Sequence, residues 1–483
     1  MLARDTAPWT WRARLVRTPN GRKTMRFSSR MRRTAAVAVA GAVALTTALT
    51  GCSSQSGSSG GGGSATAGTI NWWSWTPDND VAEREIADFN KQYPKIKVIY
   101  KKVPIDNYAA VLRPALASND GPDVFTVNAS GAFSGKTFAP YAYDLTADVK
   151  KKLGADWKSK VYAGGTQAFT IKGRLVAQEF AQVGAGIMWI NQDLFDKYKL
   201  KAPTNYAEWK KVCATFRSNG LGCFREGMQG TAGFPIDTLS SIVNYDTPGA
   251  WTQLLQGKRK WTDPVVVRGL QTLQDLTKDK ILDSGAVGFM QYPEVNNSFL
   301  SGKVPMVQMG TWYQQYTTVN SLKAALAGAG VSDTDAKTNI VPINFPDTAG
   351  KGNPFVMTSD PDAGQAVNAK SKARSAAVTF ALWLGADAKG QQVVANNLDS
   401  YPTLKSVAPQ FENIELVNKD VQLPLLKNVQ DVLLKADAPR LNGLGAQTSD
   451  ALVNACQQVT SGKSPASVVE AVEQGAEADR QGQ

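Results

Sequence analysis

The sequence predicts an α/β protein built as two lobes. Its 483 residues are 43% hydrophobic and 19% charged, as in ordinary soluble globular proteins. Short apolar runs alternate with longer segments of helical periodicity, which is the pattern of α/β architectures. The chain from Cys52 to Gln483 is 432 residues long (483 less 51), more than one hydrophobic core accommodates, so two lobes are expected.

Residues 1–51 are predicted to be an export signal. They contain ten Lys/Arg residues and one acid, so they hold most of the formal net charge of +12 and leave +3 for the rest of the chain. A basic segment ends at Arg33, and the charge-free stretch 34–49 that follows is too short and too alanine-rich for a comfortable membrane span. Because the basic residues are concentrated in this leader, the composition gives no support for a nucleic-acid partner.

Leu49-Thr50-Gly51-Cys52 directly follows the apolar stretch and resembles the lipobox of bacterial lipoproteins. The resemblance implies cleavage before Cys52 and its acylation with palmitate-type chains, which would anchor the protein to the outer face of the cell membrane. The alternative is an ordinary signal peptide with an incidental cysteine. Residues 53–68 are rich in serine and glycine and predict a flexible tether with an end-to-end distance of about 20–24 Å.

The first third of the folded chain predicts the order strand, helix, strand, helix, strand. Period-2 alternation marks the strands, and apolar side chains near helical spacing mark the helices. These five segments are 69–75, 81–94, 95–103, 107–118 and 122–128, the last entering a glycine-rich loop.

Helices dominate the rest of the predicted chain. Extended segments are expected within 174–190, before a helix that starts near Asn191. Ser464, followed by proline, is expected to cap a final helix. The other predicted helices are 206–217, 264–282 and two successive ones within 371–397.

The cysteines and the missing histidines narrow the chemistry. Export implies an oxidising compartment, and Cys213–Cys223 is the favoured disulfide because it closes the shortest loop, which makes Cys456 a buried free thiol. Histidine is absent, which excludes Ser-His-Asp and Cys-His nucleophiles and the His-based zinc helix.

The segment 131–137, GAFSGKT, is one residue short of a phosphate-binding loop, and Pro140 interrupts the helix that such a loop needs. We expect no enzyme activity, no cofactor and no metal site.

Six motifs follow one another in a fixed order over the chain. They are INWWSW (70–75), FNKQYPKIKVIYKKV (89–103), NDGPDVFTVN (119–128), GIMWINQDLFDKYKLKAPTNYAEW (186–209), FLSGKVPMVQMGTWYQ (299–314), and AKSKARSAAVTFALWL (369–384) with LDSYPTL (398–404). In this order, they resemble family 1 extracellular solute-binding proteins of bacterial ABC importers, the maltose-binding-protein-like group. Two departures are Ile190, where the family usually has tyrosine, and Trp209, which is displaced from the usual tryptophan near Tyr206.

The resemblance implies a two-lobed periplasmic-binding-protein-like fold of type II, with crossover hinge strands and a ligand cleft between the lobes. Lobe one would comprise 69–180 plus 357–400, and lobe two 183–355 plus 403–483. The implied function is a monomeric substrate-binding subunit that captures a sugar or oligosaccharide and delivers it to the transmembrane subunits of an ABC permease. Closure around the ligand would be a hinge motion.

A sugar site needs flat aromatic rings and side chains that donate and accept hydrogen bonds. Ser74, Trp75 and Thr76 lie at the carboxyl end of the first predicted strand, where open α/β sheets bind ligands, whereas Trp72 and Trp73 are expected in the core.

The remaining candidates come from the resemblance and from the predicted crossovers. Trp312 matches the family's stacking tryptophan, and Asn128 and Ser130 match its first-lobe polar loop. The crossovers place three further candidates near the cleft: Gln182, Asp362 and Tyr401.

Three alternatives remain open. The ligand could be another solute, such as a polyamine, iron or a phosphate ester, although the few acids near the predicted cleft argue against a polycation. A membrane-anchored glycoside hydrolase would need a pair of carboxyl groups facing a glycosidic oxygen, about 5–5.5 Å or about 6.5–9.5 Å apart. An adhesive or structural lipoprotein would need neither crossover strands nor a cleft.

Overall fold

The computed structural model describes residues 64–230, 233–332 and 337–482. The predicted signal, the lipobox with Cys52 and most of the tether lie outside these ranges. The described residues belong to one compact unit. Within them, no helix is both long and apolar enough to cross a membrane.

Helices form the larger part of the regular structure. Their bounds are α1 (Asn79–Gln92), α2 (Ile105–Ala117), α3 (Gly135–Phe138), α4 (Thr146–Leu153), α5 (Trp157–Lys160), α6 (Ala163–Ala168), α7 (Gln192–Lys197), α8 (Tyr206–Ser218), α9 (Phe234–Asp246), α10 (Ala250–Leu255), α11 (Pro264–Lys278), α12 (Asn296–Leu300), α13 (Val319–Gly328), α14 (Arg374–Ala386), α15 (Ala388–Asn397), α16 (Lys419–Leu433), α17 (Ala446–Thr460) and α18 (Val469–Gln481).

The strands form two main sheets and one small hairpin. Their bounds are β1 (Ala67–Ser74), β2 (Lys95–Lys102), β3 (Val124–Asn128), β4 (Thr170–Ile171), β5 (Arg174–Leu175), β6 (Gln178–Ala185), β7 (Ile187–Asn191), β8 (Phe224–Arg225), β9 (Met306–Met309), β10 (Ile340–Asn344), β11 (Thr358–Val367) and β12 (Ala438–Pro439). The first sheet has the order β12-β11-β3-β1-β2, with β6 also paired to β11, and the second has the order β10-β7-β9-β8. These elements confirm the predicted α/β class.

Strand β1 illustrates how the period-2 pattern builds the first core. Ile70, Trp72 and Ser74 point to one face and are buried. The Trp72 ring packs 5.1 Å from Phe380 of α14, and its indole nitrogen donates a hydrogen bond to Gln365 at 3.1 Å. The core position predicted for Trp72 is therefore confirmed.

Trp73 departs from the prediction. It lies on the opposite face of β1 and is only half-buried, with the Lys101 ammonium 3.8 Å above its ring. A regular strand cannot turn two successive side chains to one face, so only one of the adjacent tryptophans enters that core.

The favoured disulfide links helix α8 to the start of β8 in the second sheet. Cys213 of α8 and Cys223, just before β8, are bonded across a sequence separation of ten residues, and Cys456 is a buried free thiol. A loop of this size contributes about 2–3 kcal/mol on the chain-entropy description. Ser464 stands at the N-cap position of a 3₁₀ turn with Pro465 as its first residue, and α18 follows, so the predicted start of the last helical segment is confirmed, but the Ser464 side chain makes no capping hydrogen bond.

Among the described strands, the chain passes between the two sheets at two places. Strand β6 ends in the first sheet at Ala185, and β7 begins in the second at Ile187, with Gly186 between them at a φ of +92° that side chains rarely adopt. The chain returns to the first sheet from β10 to β11. Tyr401, further along the chain, pairs through its backbone with Gln182 of β6.

Candidate ligand-binding cleft

The turn that follows β1 closes on itself. The Ser74 hydroxyl donates to the Thr76 carbonyl and accepts the Thr76 N–H at 3.3 Å, and Ser74 has no exposed surface. Trp75 is 8% exposed, with its ring 5.1 Å from Tyr108 and 4.8 Å from Phe133. Ser74 and Trp75 are therefore buried beneath the turn and stabilise it, and contact of either residue with a ligand remains a prediction.

Thr76 and Asp78 join this turn to the second half of the molecule. The Thr76 hydroxyl donates to Asp399 at 3.0 Å, and the other oxygen of Asp399 accepts from the Gln315 amide at 2.7 Å. Asp78 accepts from the Tyr316 hydroxyl at 2.8 Å. The predicted residue Thr76 thus lies where a first-sheet loop meets the 3₁₀ helix Thr311–Thr317.

Trp312 lies in an aromatic cluster at the same meeting point. Its indole nitrogen donates to the Tyr292 hydroxyl at 3.1 Å, and Phe234 packs 5.9 Å from Tyr292 and 6.4 Å from Trp312. The Arg440 guanidinium lies 5.0 Å from the centre of the Trp312 ring. Trp312 is only partly buried, so the ring is fixed in place and still presents surface.

The end of β3 supplies polar groups. The Asn128 amide donates to Asp362 at 3.2 Å, and its carbonyl oxygen accepts the Ser130 N–H at 3.1 Å. Asn128 pairs with Ala363 of β11, which brings Asp362 to the carboxyl end of β3. All three predicted residues are partly exposed at this edge of the first sheet.

Arg440 connects the aromatic cluster around Trp312 with the polar residues at the end of β3. It makes a bidentate ion pair with buried Asp237, at 2.8 and 2.6 Å, and its positive charge also acts on Asp362. The predicted residues Asn128, Asp362 and Trp312 are therefore brought to one region around this guanidinium.

Gln182 of β6 and Tyr401 lie opposite each other, close to the passage from β6 to β7. Their backbones exchange two hydrogen bonds, at 2.9 and 3.0 Å. Gln182 also pairs with Pro361, the residue before Asp362, and is partly exposed, whereas Tyr401 is 5% exposed. Both are placed to support the hinge, and a direct contact with ligand stays a prediction.

Carboxyl groups collect around this region, which corrects the expectation of few acids there. Burial raises the pKa of Asp399 to about 7, with a further contribution from the charge of Asp78. Burial likewise raises the pKa of Glu85 to about 8, and the pKa values of Asp362 and Glu179. Helices and loops distant in sequence bring these acids together, and the local pattern gives no sign of it.

Several residues of this region escaped the sequence prediction. Asp78 could have been found, because it follows the first strand within the same TPDND segment as Thr76. Asp399 stands in the LDSYPTL motif beside Tyr401, so that motif was a usable signal. Tyr292, Tyr316 and Arg440 have no local signature, since they reach the cleft only through tertiary packing.

Residues 72–391 match the sequence family described as bacterial extracellular solute-binding protein. The matched range is well over half of the chain. The chain belongs to this family. A solute-binding protein of this kind acts outside the cytoplasm, which agrees with the predicted export signal. No curated protein sequence is significantly similar to the chain.

Several solved structures have a fold similar to that of this chain. One, from work on xylan utilization by the thermophilic bacterium Caldanaerobius polysaccharolyticus, is 22% identical with a TM-score of 0.66, and the match covers 84% of this chain and 99% of that one. Maltose-bound MalE3 of T. maritima is 18% identical with a TM-score of 0.65, covering 85% and 99%. The GacH receptor of Streptomyces glaucescens, solved unliganded and with acarbose, is 20% identical with a TM-score of 0.63, covering 85% and 98%. These likenesses establish the two-lobed solute-binding fold over nearly the full length of each relative.

Proposed function

We propose that this solute-binding protein captures a sugar or oligosaccharide in the cleft between its two lobes and delivers it to an ABC permease. One observation carries the proposal. A partly exposed tryptophan, Trp312, is held by Arg440 and Tyr292 beside the amide and carboxylate groups of Asn128 and Asp362. Proteins of similar fold that were solved with maltose or acarbose, and one named as a chitin oligosaccharide binding protein, support the same substrate class.

The chemistry of the region fits a sugar. A pyranose presents an apolar C–H face, which stacks on an indole ring, and a rim of hydroxyls that donate to carboxylates and amides. Thr76 and Asp78 supply further polar groups from the first-sheet side. A ligand between the lobes therefore meets a flat ring from one side and hydrogen-bonding groups from the other.

A thermal-shift screen of the processed chain against mono-, di- and oligosaccharides tests this proposal. A sugar present at about 100 times its dissociation constant is expected to add about 2.7 kcal/mol to the free energy of unfolding. A panel in which no sugar raises the melting temperature, while another solute class does, would falsify the sugar assignment.

Trp312→Ala tests the stacking role. We expect the affinity for the identified sugar to fall at least about 30-fold, since truncating an aromatic contact at the centre of a binding site costs about 2 kcal/mol or more. Trp73→Ala is the matched control, because Trp73 is another half-buried tryptophan and lies on a different sheet face. Isothermal calorimetry of both variants decides the matter: equal affinities for Trp312→Ala and the parent contradict the role.

A second candidate ligand class is a sugar that carries a protonated amino group. The observation that favours it is that Asp362 and Asp399, both in the described part of the chain, have no Lys or Arg nitrogen within ion-pair distance. A cation would compensate these carboxylates as the cleft closes. Glucosamine oligosaccharides and polyamines belong in the same screen, and a larger shift with the neutral sugar of equal length contradicts this candidate.

The protein is proposed to bind its ligand without transforming it. Prolonged incubation with the best-binding oligosaccharide, followed by chromatography, is expected to return it intact. New reducing ends would instead support the glycoside hydrolase alternative.

We further propose that Cys52 carries the lipid anchor implied by its lipobox. In a bacterial host, metabolic labelling with palmitate is expected to mark the parent chain and to be lost in Cys52→Ala, together with recovery in the membrane fraction. Labelling that persists in Cys52→Ala contradicts the anchor.

A further inference from the structure

Within the described ranges, strand β2 lies at one edge of the first sheet, and one of its faces is uncovered. Its register pairs Thr69 with Lys97 and Trp73 with Lys101, so these residues share a face. On the opposite face, Ile96 and Val98 are buried. The lysine face is defined here as Lys95, Lys97, Ile99 and Lys101 of β2 with Thr69 and Trp73 of β1.

The lysine face is positively charged and partly apolar. Lys95, Lys97 and Lys101 are exposed, and within the described ranges none of them has a carboxylate within ion-pair distance. Ile99 is 43% exposed between them, and Lys101 lies over the half-exposed Trp73 ring. The three lysines fall along a line of roughly 20 Å, at about 3.3 Å per residue.

Nearby acids do not neutralise this charge. Asp88 and Asp78 are paired with other lysines, Lys91 and Lys102. Asp123, beside β1, accepts from the Asn71 N–H at 2.9 Å and from the Ser371 hydroxyl at 2.5 Å and keeps its negative charge, so three lysines stand against this one carboxylate. The face therefore presents net positive charge to whatever covers it.

The point where the chain enters the fold suggests the occupant. The described chain begins at Ser64, and β1 starts at Ala67, which pairs with Lys95 at the end of the lysine face. Between Cys52 and Ser64 lie only residues 53–63, and a flexible serine-glycine chain of this length is expected to reach about 17–20 Å. A protein anchored at Cys52 thus holds the lysine face within reach of the membrane.

We propose that the lysine face docks on anionic lipid headgroups of the membrane to which the chain is tethered. This inference rests on the proposed lipid anchor and is independent of the proposed sugar. Each lysine near an anionic surface contributes about 1 kcal/mol, which is about a fivefold change in binding, and the attraction is screened within a Debye length. Tryptophan is favoured at the membrane interface, so Trp73 beside Lys101 adds to the fit. The docked face turns lobe one towards the membrane and limits the orientations that the tether allows.

The experiment uses the acylated full chain reconstituted into vesicles. A fluorophore is attached at Thr69→Cys, within the lysine face, or at Ser461→Cys, an exposed control position after α17. Labelling is specific because Cys213 and Cys223 are bonded and Cys456 is buried. A water-soluble quencher then reports the accessibility of the fluorophore in phosphatidylcholine vesicles with and without phosphatidylglycerol.

We expect the label at position 69 to be quenched several-fold more slowly when phosphatidylglycerol is present, and the label at 461 to be unaffected. Each Lys→Gln substitution at Lys95, Lys97 or Lys101 is expected to lower the docked-to-undocked ratio about fivefold, and high salt to abolish docking. The triple variant should keep the sugar affinity of the parent.

Four results overturn the inference. Three are equal quenching of the label at position 69 in both vesicle types, protection of the label at position 461 from the quencher to the same degree, and no effect of the lysine substitutions. The fourth is protection of the label at position 69 without vesicles, which indicates edge-strand pairing between two copies. Flotation separates the two proposals. Chain that floats only with phosphatidylglycerol vesicles contradicts the anchor and supports docking, whereas chain that floats with neither contradicts both.

Discussion

Arg440 links the ion-pair chemistry of the cleft to its aromatic surface. The guanidinium is 8% exposed, paired with Asp237 and stacked over Trp312. Asp237 is 1% exposed, so the pair is buried and its charge is compensated locally. We therefore interpret Arg440 as a residue that positions Trp312.

A double-mutant cycle tests this positioning role. Arg440→Gln alone leaves Asp237 buried and unpaired, which should lower the free energy of unfolding by about 3–5 kcal/mol. Combining it with Asp237→Asn removes both charges and should recover most of that stability, while sugar affinity stays about fivefold low because the Trp312 ring has lost its cation. Denaturant unfolding and calorimetry measure the two effects separately.

The ion pair of Asp246 and Arg268, in which the arginine side chain is 53% exposed and the aspartate side chain 12%, supplies the control. The double variant Asp246→Asn/Arg268→Gln removes the same charges outside the cleft and should leave affinity unchanged. If Asp237→Asn/Arg440→Gln binds sugar as well as this control does, Arg440 has no positioning role.

Asp399 predicts a pH dependence. Its pKa is raised to about 7 by burial, first, and by the charge of Asp78, whereas an unfolded Asp titrates near pH 4. Between about pH 4 and about pH 7 the folded chain holds a proton that the unfolded chain releases, so stability conferred by this group is lost as the pH rises. Asp399→Asn should therefore reduce the fall in melting temperature between about pH 5 and about pH 8.

Part of the fall in melting temperature with rising pH should remain in the Asp399→Asn variant, because the pKa of Glu85 is raised to about 8, chiefly by burial. The amide introduced by Asp399→Asn can still accept from the Gln315 amide and pair with the Thr76 hydroxyl, so loss of hydrogen bonds does not obscure the result. Identical pH profiles for parent and variant would show that Asp399 titrates normally.

At the scale of elements, the junction of β9 with the 3₁₀ helix Thr311–Thr317 decides how Trp312 is presented. Gly310 stands between them, and a Cβ at this residue would lie 2.0 Å from the Trp312 ring and 2.4 Å from the Gly184 carbonyl oxygen of β6. The Gly310 carbonyl also accepts from the buried Trp189 indole at 3.1 Å. The ring rests directly on the backbone of this junction, which needs the absence of a side chain.

Gly310→Ala is therefore expected to displace the ring and to lower both the melting temperature and the sugar affinity, the latter nearly as far as Trp312→Ala does. Gly328→Ala is the matched control, because Gly328 ends α13 with nothing within 4 Å of an added Cβ. That change should be neutral or slightly stabilising. Unchanged affinity in Gly310→Ala contradicts the account of the junction.

At the scale of the whole molecule, contacts join the proposed lobe one (69–180 plus 357–400) to the proposed lobe two (183–355 plus 403–483). Arg84 of α1 donates to Asp80 at 2.9 Å and Asn397 at 3.0 Å within lobe one, and to Ser321 of α13 at 2.8 Å in lobe two. Asp399 and Asp78 make further contacts across the same seam. We expect these polar contacts to favour the closed arrangement over the open one.

Arg84→Ala should consequently weaken sugar binding about tenfold, as expected for the loss of one charge-assisted network. Small-angle X-ray scattering should show a larger radius of gyration for the sugar-saturated variant than for the parent. Arg84→Lys, which keeps the charge and can reach one partner, is expected to be intermediate. A variant with parental affinity and radius excludes a role of Arg84 in closure.

Much of the fold could be predicted from the sequence because its signals are local. The alternation around Trp72 predicted β1, and Pro264 at the start of an apolar stripe predicted α11. The missing side-chain hydrogen bond at Ser464 and the half-exposed Trp73 depend on how the flanking segments pack, which periodicity does not record.

The sequence by itself determined the α/β class, the favoured disulfide, the motif order of the family and Trp312 as a candidate. Only the tertiary structure placed Arg440 against Trp312 and against Asp237, 203 residues away in the chain, and gathered Asp362 and Asp399 into one region. The physical reason is range. Helix and strand periodicity arise from neighbours a few residues apart, whereas a cleft is formed by side chains that meet only after two sheets have folded and packed.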